Sequence, residues 1–161
     1  MTVEPLEPLN EAPVRWLSTE EQQVWRHLLG VESRLHDRLD RELRAAHRLN
    51  LGEYAVLVNL SEAGPAGLRM SDLAELLLLS RSGLTRRIDA LEKAGLVARR
   101  SCPNDGRGSM AQLTQLGAER LDEAAPTHVA GVRRYLIDAL GDDLGGLARG
   151  LARVEEALDR S

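Results

Sequence analysis

The sequence predicts a mainly α-helical chain that carries one small β-hairpin. Three observations support this fold class. Apolar residues recur at spacings of three and four along much of the 161-residue chain, as in amphipathic helices. Two of these stretches begin at Ser or Asn followed three residues later by Glu, which is a helix-capping pattern. One segment instead places a turn rich in Pro, Asn, Asp and Gly between two strand-like pieces, which is typical of a hairpin.

The first helix is predicted to follow a flexible arm. Residues 1–17 contain three prolines among acidic side chains and are expected to be loosely ordered. Ser18 and Glu21 then form a capping box. A narrow stripe of aliphatic side chains continues the helix to about residue 48.

A second helix is predicted over residues 51–62. Asn50 and Glu53 repeat the capping pattern at its start. The Gly- and Pro-rich cluster at 64–67 ends it, because neither residue type continues a helix well. A short extended piece follows at 68–70.

Two closely spaced helices come next. Ser71 is predicted to cap a brief helix at 72–78, and Ser80 to cap a longer one at 81–94. Gly95 stands where a helix commonly ends in a left-handed glycine.

The hairpin is predicted from strand-like pieces at 96–101 and 110–113 around a turn at 103–108. A further helix begins near Thr114. Pro126 lies inside it, and a kink or break is expected there because proline lacks the N–H that a helix interior uses.

The last helix is predicted from about Asp142 onwards. Its apolar residues repeat at alternating spacings of four and three, a narrow seam of the coiled-coil kind: Leu140, Leu144, Leu147, Leu151, Val154 and Leu158. The first helix carries a similar stripe. Narrow seams favour a partner helix, so we expect a homodimer. Packing of both helices on their own domain is the alternative.

The charges are unevenly distributed. The formal net charge is −4, yet residues 81–107 contain seven basic and three acidic residues, a net charge of +4 that leaves −8 for the rest. An acidic body with one basic segment is typical of nucleic-acid binding. The scarcity of aromatic rings argues against single-stranded partners, whose bases stack on such rings. The order helix, turn, helix, hairpin therefore indicates a winged helix-turn-helix that binds double-stranded DNA.

The helix at 81–94 is predicted to have two contrasting faces. On the apolar face, three residues pack on three of the preceding helix: Leu84, Ile88 and Leu91 on Leu73, Leu76 and Leu77. The other face suits the major groove, because hydroxyls and helix-terminal N–H groups bind phosphate and arginines reach guanine or phosphate. The residues predicted to contact DNA are Ser80, Arg81, Ser82, Gly83, Thr85, Arg86 and Arg87. For both arginines at 86 and 87 the alternative is a solvated face with salt bridges to Asp89 or Glu92.

The hairpin turn is predicted to make a second DNA contact. Arg107 lies on a glycine-flanked turn that includes Gly108, and an arginine on a thin loop suits the minor groove. Asp105 would fix the direction of its guanidinium by a bidentate pair. Arg99 and Arg100 alternate across a strand, so at most one of them would face DNA.

The chain resembles the MarR family of transcription regulators in four segments, at 79–88, 91–97, 103–108 and 113–117. In that family they form the recognition helix, its end, the wing with its Asp-x-Arg signature and the start of a dimerisation helix. The resemblance implies one domain at 18–160, with the winged helix-turn-helix at about 51–114 and dimerisation helices at about 18–48 and 114–160. It also implies a homodimer on a palindromic operator, and we expect a repressor released by an unidentified small-molecule effector.

Other functional classes have less support. The single Cys indicates a reducing compartment, and the absence of a signal peptide or membrane-spanning run predicts a cytoplasmic protein with no membrane partner. The sequence contains no phosphate loop, metal-ligand cluster or nucleophile motif, so we expect neither an enzyme nor a cofactor or metal. Two alternatives stay open: a winged-helix module for protein association, and a redox-responsive regulator acting through Cys102. Trp25 is a candidate for lining an effector cleft, with ordinary core packing as the alternative.

Overall fold

The computed structural model describes residues 14–102 and 105–160, and the side chains of these except at 102–108. In chain order the helices and strands are α1 (Thr19–His47), α2 (Leu51–Glu62), β1 (Leu68–Arg69), α3 (Met70–Leu76), α4 (Arg81–Lys93), β2 (Val97–Cys102), β3 (Asp105–Leu113), α5 (Gln115–Val132), α6 (Asp138–Leu140) and α7 (Leu144–Asp159). This mainly helical chain with a small antiparallel sheet confirms the predicted fold class. The chain divides into two compact units between Arg34 and Leu35, and the second contains every element from α2 to α7.

Both predicted capping boxes are present. The Ser18 N–H donates to Glu21 Oε2 at 2.7 Å, and the Glu21 N–H donates to Ser18 Oγ at 3.2 Å. The Asn50 N–H donates to Glu53 Oε2 at 2.9 Å, and the Glu53 N–H donates to Asn50 Oδ1 at 2.8 Å. These reciprocal bonds satisfy N–H groups that a helix start otherwise leaves unpaired, so α1 and α2 begin where the sequence predicts.

The hydrophobic core of the second unit is mainly aliphatic, with Tyr54 as its one aromatic side chain among the described residues. Its largest fully buried side chains are Leu43, Leu57, Leu60, Leu73, Leu84, Ile88, Leu91, Val56 and Val97. The predicted burial of Leu76 is wrong, because that side chain is 60% exposed. Leu73 and Ala74 are buried and Leu77 packs against the core. These three share one helix face, and Leu76 lies off it.

The start of α3 also differs from the prediction. The helix begins at Met70, directly after β1, and Arg69 occupies the N-cap position without a side-chain cap. Ser71 lies inside the first turn, where its Oγ donates to Asp72 Oδ1 at 2.8 Å. Pairing of Arg69 with Met110 of β3 sets where the strand ends and the helix begins, so this boundary depends on tertiary structure and not on a local cap.

The three strands form an antiparallel sheet in the order β1-β3-β2. Strand β3 begins at Asp105 and pairs there with Cys102, with an irregularity after Ser101. The predicted turn at 103–108 is therefore too long, because residues 105–108 already belong to β3 and the pairing with β2 continues across this irregularity. Gly117 in the first turn of α5 lies so close to the carbonyl of Leu96 that a side chain there would overlap it.

A kink or a break is predicted at Pro126, and the break does not occur, because α5 continues through this residue. Pro126 and Asp122 are both exposed, so water can reach the carbonyl that the missing N–H leaves unpaired. The irregularity lies further on, in a π-helical turn at Arg133–Ile137. After α6, a short 3₁₀ turn leads into α7, which begins two residues later than predicted. Within residues 14–102 and 105–160, no helix is both long and apolar enough to cross a bilayer.

Candidate DNA interface

A tight turn joins α3 to α4. The Leu78 N–H donates to Glu75 O at 3.0 Å and the Leu79 N–H donates to Ala74 O at 2.8 Å, which is the Schellman arrangement. Leu78 thereby adopts a left-handed backbone with φ of +51°. Ser80 then has an extended backbone and starts α4. Two short helices joined by a four-residue turn form the helix-turn-helix that the sequence predicts.

The first turn of α4 presents hydroxyl groups. Ser80 Oγ accepts from the Gly83 N–H at 3.1 Å and lies 3.3 Å from Ser82 Oγ. Thr85 Oγ1 donates to Arg81 O at 2.8 Å. Because this bond uses its only proton, Thr85 can act toward DNA as an acceptor, which suits a base amino group better than a phosphate.

Arg86 lies on the exposed side of α4. In the part of the chain that the structure describes, no carboxylate pairs with it. Asp89 and Glu92, the acidic residues nearest in sequence, instead accept from Arg99 of β2. The salt-bridged alternative for Arg86 is therefore not present, and its guanidinium is available to an anionic partner.

Arg87 occupies a different environment. It is half-buried, and its guanidinium packs over Gly52 in the first turn of α2, where any side chain would overlap it. The structure thus places Arg87 between α4 and α2, away from the hydroxyl-bearing face. Glycine at position 52 provides the space for this contact.

Comparisons with known proteins agree with this geometry. The family model described as "MarR family" matches residues 49–109. The transcriptional regulator PecS of Dickeya dadantii is 30% identical over 135 residues, which is 81% of each chain. The crystal structure of AbsC, a MarR family transcriptional regulator from Streptomyces coelicolor, is 41% identical with a TM-score of 0.84 over 92% of this chain and 100% of its own.

The chain belongs to the MarR family. Sco3205, a MarR family transcriptional regulator from Streptomyces coelicolor solved in complex with DNA, is 38% identical with a TM-score of 0.83 over 91% of both chains. CouR from Rhodococcus jostii RHA1 was solved bound to p-coumaroyl-CoA; it is 25% identical with a TM-score of 0.69 over 81% of this chain and 89% of its own. This MarR-family chain is therefore a DNA-binding transcription regulator of the winged-helix type.

The structure does not describe every predicted site residue. Asp105, Arg107 and Gly108 lie on β3, but their side chains, like that of Cys102, are outside the described residues. Their predicted roles in the wing stay predictions. Trp25 lies in the first compact unit and is 53% exposed, so it is not packed into a core of the described chain.

Sequence reasoning missed a polar pocket beside α5. Its volume is about 280 Å³ and it is lined by Ala46, His47, Arg48, Arg120 and Glu123. Arg120 Nη1 donates to His47 O at 3.1 Å, and His47 Nε2 lies 2.8 Å from Thr127 Oγ1. No periodicity in the sequence marks these residues, because they come from two helices far apart along the chain.

An aromatic pair joins α2 to α5, a few residues along α5 from the side chains that line the pocket. The rings of Tyr54 and His128 stack with centroids 4.5 Å apart. Burial lowers the pKa of His128 and raises that of Tyr54, because both rings lose water that would stabilise their charged forms. Burial thus favours the neutral form of His128, and its stacked ring contributes packing to the α2–α5 contact.

Proposed function

We propose that this chain is a homodimeric, cytoplasmic repressor that binds a palindromic operator. Each subunit inserts α4 into a major groove, and Arg107 of the wing enters the adjacent minor groove. The observation that carries the proposal is the first half of α4, where Ser82, Thr85 and Arg86 are exposed together. The DNA-bound structure of Sco3205, similar over nearly the whole chain, supports the same use of the fold.

The C-terminal helix supports the dimer. Along α7, within the described chain, no residue is buried, and its apolar stripe is exposed: Leu144 37%, Leu147 37%, Leu151 43%, Val154 53% and Leu158 70%. Five aliphatic side chains at spacings of three and four form a continuous apolar strip that is exposed to solvent in the isolated subunit. A second copy of the chain would bury this strip, as in other seams of this kind.

The dimer would set the spacing of the two recognition helices. To enter successive major grooves, they must lie about 34 Å apart, one turn of DNA. A small molecule that binds better to a dimer with another spacing would shift the population and release the operator. CouR carries p-coumaroyl-CoA in its solved structure, which supports a ligand-controlled member of this fold.

The test is operator binding by the full-length protein. Fluorescence anisotropy with duplexes from the DNA upstream of its own gene should show saturable binding that competitor DNA of scrambled sequence displaces poorly. The variant Arg107→Ala should bind about tenfold more weakly or worse, whereas Arg41→Ala, which removes the same charge from α1, should bind normally. Equal binding by both variants and the parent protein would contradict the proposed DNA-reading wing.

A further inference from the structure

We propose that Arg99 is a positioning residue that fastens the base of the wing to the recognition helix and does not itself touch DNA. The proposal rests on the proposed function, since it assigns a role within the DNA-reading surface formed by α4 and the wing. It also explains how α4 can carry two carboxylates, Asp89 and Glu92, on a helix that approaches phosphates.

The side-chain hydrogen bonds of Arg99 all lead to α4. Its Nη1 donates to Glu92 Oε2 at 2.9 Å, and its Nη2 donates to Asp89 Oδ1 at 2.5 Å and to Thr85 O at 3.3 Å. Its backbone N–H donates to Glu92 Oε1 at 3.3 Å. One strand residue is thus held at three points along almost two turns of the helix.

These bonds leave little of the guanidinium for DNA. Nη2 uses both of its N–H groups and Nη1 uses one. Each of the two donor edges of a guanidinium includes an N–H of Nη2, so Arg99 has no free pair of donors with which to read guanine. Its side chain is 27% exposed, whereas the adjacent Arg100 is more exposed and points to the opposite face of β2. Of the two arginines, Arg100 is therefore the one that faces solvent or DNA.

The charges give the arrangement a second consequence. Asp89 and Glu92 would repel phosphates if their charges were uncompensated. Arg99 places a positive charge between them, and pairs that share one guanidinium in a network are worth more than isolated surface pairs. Arg86 is left unpaired within the described chain and contributes its full charge to the face.

The position of Arg99 in the sheet makes the contact directional. Arg99 pairs with Ala111 of β3, and the hairpin extends beyond this pair toward Asp105. On the opposite edge of β3, β1 pairs with the same residue, Ala111, and with Met110, so β3 is held from both sides at this level. The contact of Arg99 with α4 therefore fixes the angle between the hairpin and α4, and this angle determines how far the end of the hairpin extends from the recognition helix.

The first experiment measures wing order without DNA. In full-length Arg99→Ala, amide hydrogen exchange in β2 and β3 should accelerate several-fold, while the buried amides of α4 at Ile88 and Leu91 exchange as in the parent protein. Arg100→Ala is the matched control and should change neither. Should Arg99→Ala fold poorly, Asp89→Ala with Glu92→Ala removes the two acceptor side chains and should give the same loosening. Unchanged exchange in β2 and β3 in both would overturn the proposal.

The second experiment measures operator affinity at several salt concentrations. Arg99→Ala should weaken binding about tenfold. Combined with Asp89→Asn and Glu92→Gln, so that no carboxylate of α4 is left uncompensated, it should leave the slope of log K against log salt unchanged. A phosphate-contacting arginine would instead reduce the magnitude of that slope by about 0.9 per contact, and that result would overturn the proposal.

A double-mutant cycle supplies the readout that general destabilisation would not change. The effect of Asp89→Asn on operator affinity is measured in the parent and in Arg99→Ala. The ratio of affinities with and without this substitution should be about tenfold higher in Arg99→Ala, because only there is the Asp89 charge uncompensated. The same factor in both backgrounds would contradict the assignment. Loss of duplex binding by the parent protein itself would instead refute the proposed function, and the exchange experiment would still test the contact.

Discussion

The turn of the helix-turn-helix holds a residue that its own backbone disfavours. Leu78 ends α3 with φ of +51°, in the position that α4 gives to Gly95 with φ of +75°. A left-handed backbone costs a residue with a side chain about 1–2 kcal/mol. The side chain is 93% exposed, so its removal forfeits almost no burial. We therefore expect Leu78→Gly to stabilise the protein.

The size of the gain follows from two opposing terms. Glycine relieves the left-handed strain but adds freedom to the unfolded chain, which costs about 0.5–1 kcal/mol. At the midpoints of the two ranges, the net increase in the free energy of unfolding is about 0.75 kcal/mol, or roughly 1–3 °C in melting temperature for a chain of this length. Urea denaturation at one fixed protein concentration measures it, because the stability of a dimer depends on concentration.

Gly95→Ala is the matched reverse change. A Cβ at this position would lie 3.6 Å from Leu116 Cδ2, which is an ordinary van der Waals contact. The change in stability therefore reports the cost of the left-handed backbone without an added steric overlap. Stability should fall by about 0.5–1 kcal/mol. If Gly95→Ala destabilises the protein while Leu78→Gly has no effect or also destabilises it, the left-handed backbone of Leu78 does not cost the folded protein the expected free energy.

Three further predictions concern packing, pH and assembly. Gly117→Ala should lower the free energy of unfolding by about 1–3 kcal/mol, because its Cβ would overlap the carbonyl of Leu96; an unchanged urea midpoint would contradict this. Burial lowers the pKa of His128, so the unfolded chain binds a proton that the folded chain does not; stability should decline as the pH falls below about 6.5, and His128→Gln should flatten that dependence in urea titrations at several pH values. Leu151→Asp should dissociate the proposed dimer in sedimentation experiments, whereas a parent protein that is already monomeric at micromolar concentration would refute the dimer.

The order of elements could be predicted because its signals are local. The capping boxes at Ser18 and Asn50 and the glycine that ends α4 each depend on residues within one or two helical turns. The exposed face of α4 follows from the same periodicity, since Leu84 and Ile88 mark the buried side. The structure confirms each of these predictions.

The errors arise where distant parts of the chain decide. Ser71 has the right chemistry for a cap, but pairing of β1 with β3 starts α3 earlier. Pro126 is a helix breaker by type, and exposure of the adjacent turn lets α5 continue. Arg99 was predicted only by strand alternation, which gives its face but not its partners, and the carboxylates it contacts lie 7 and 10 residues earlier in the chain.

The central claim is that the exposed face of α4 reads duplex DNA. Its most direct test compares the affinities of the full-length parent, Arg86→Ala and Arg41→Ala for an operator duplex and for a scrambled duplex of equal length. Arg86→Ala should lose about tenfold or more of the preference for the operator, at about 1–3 kcal/mol per specific arginine contact, while Arg41→Ala should retain it. Equal loss in both variants, or full preference in Arg86→Ala, would contradict it.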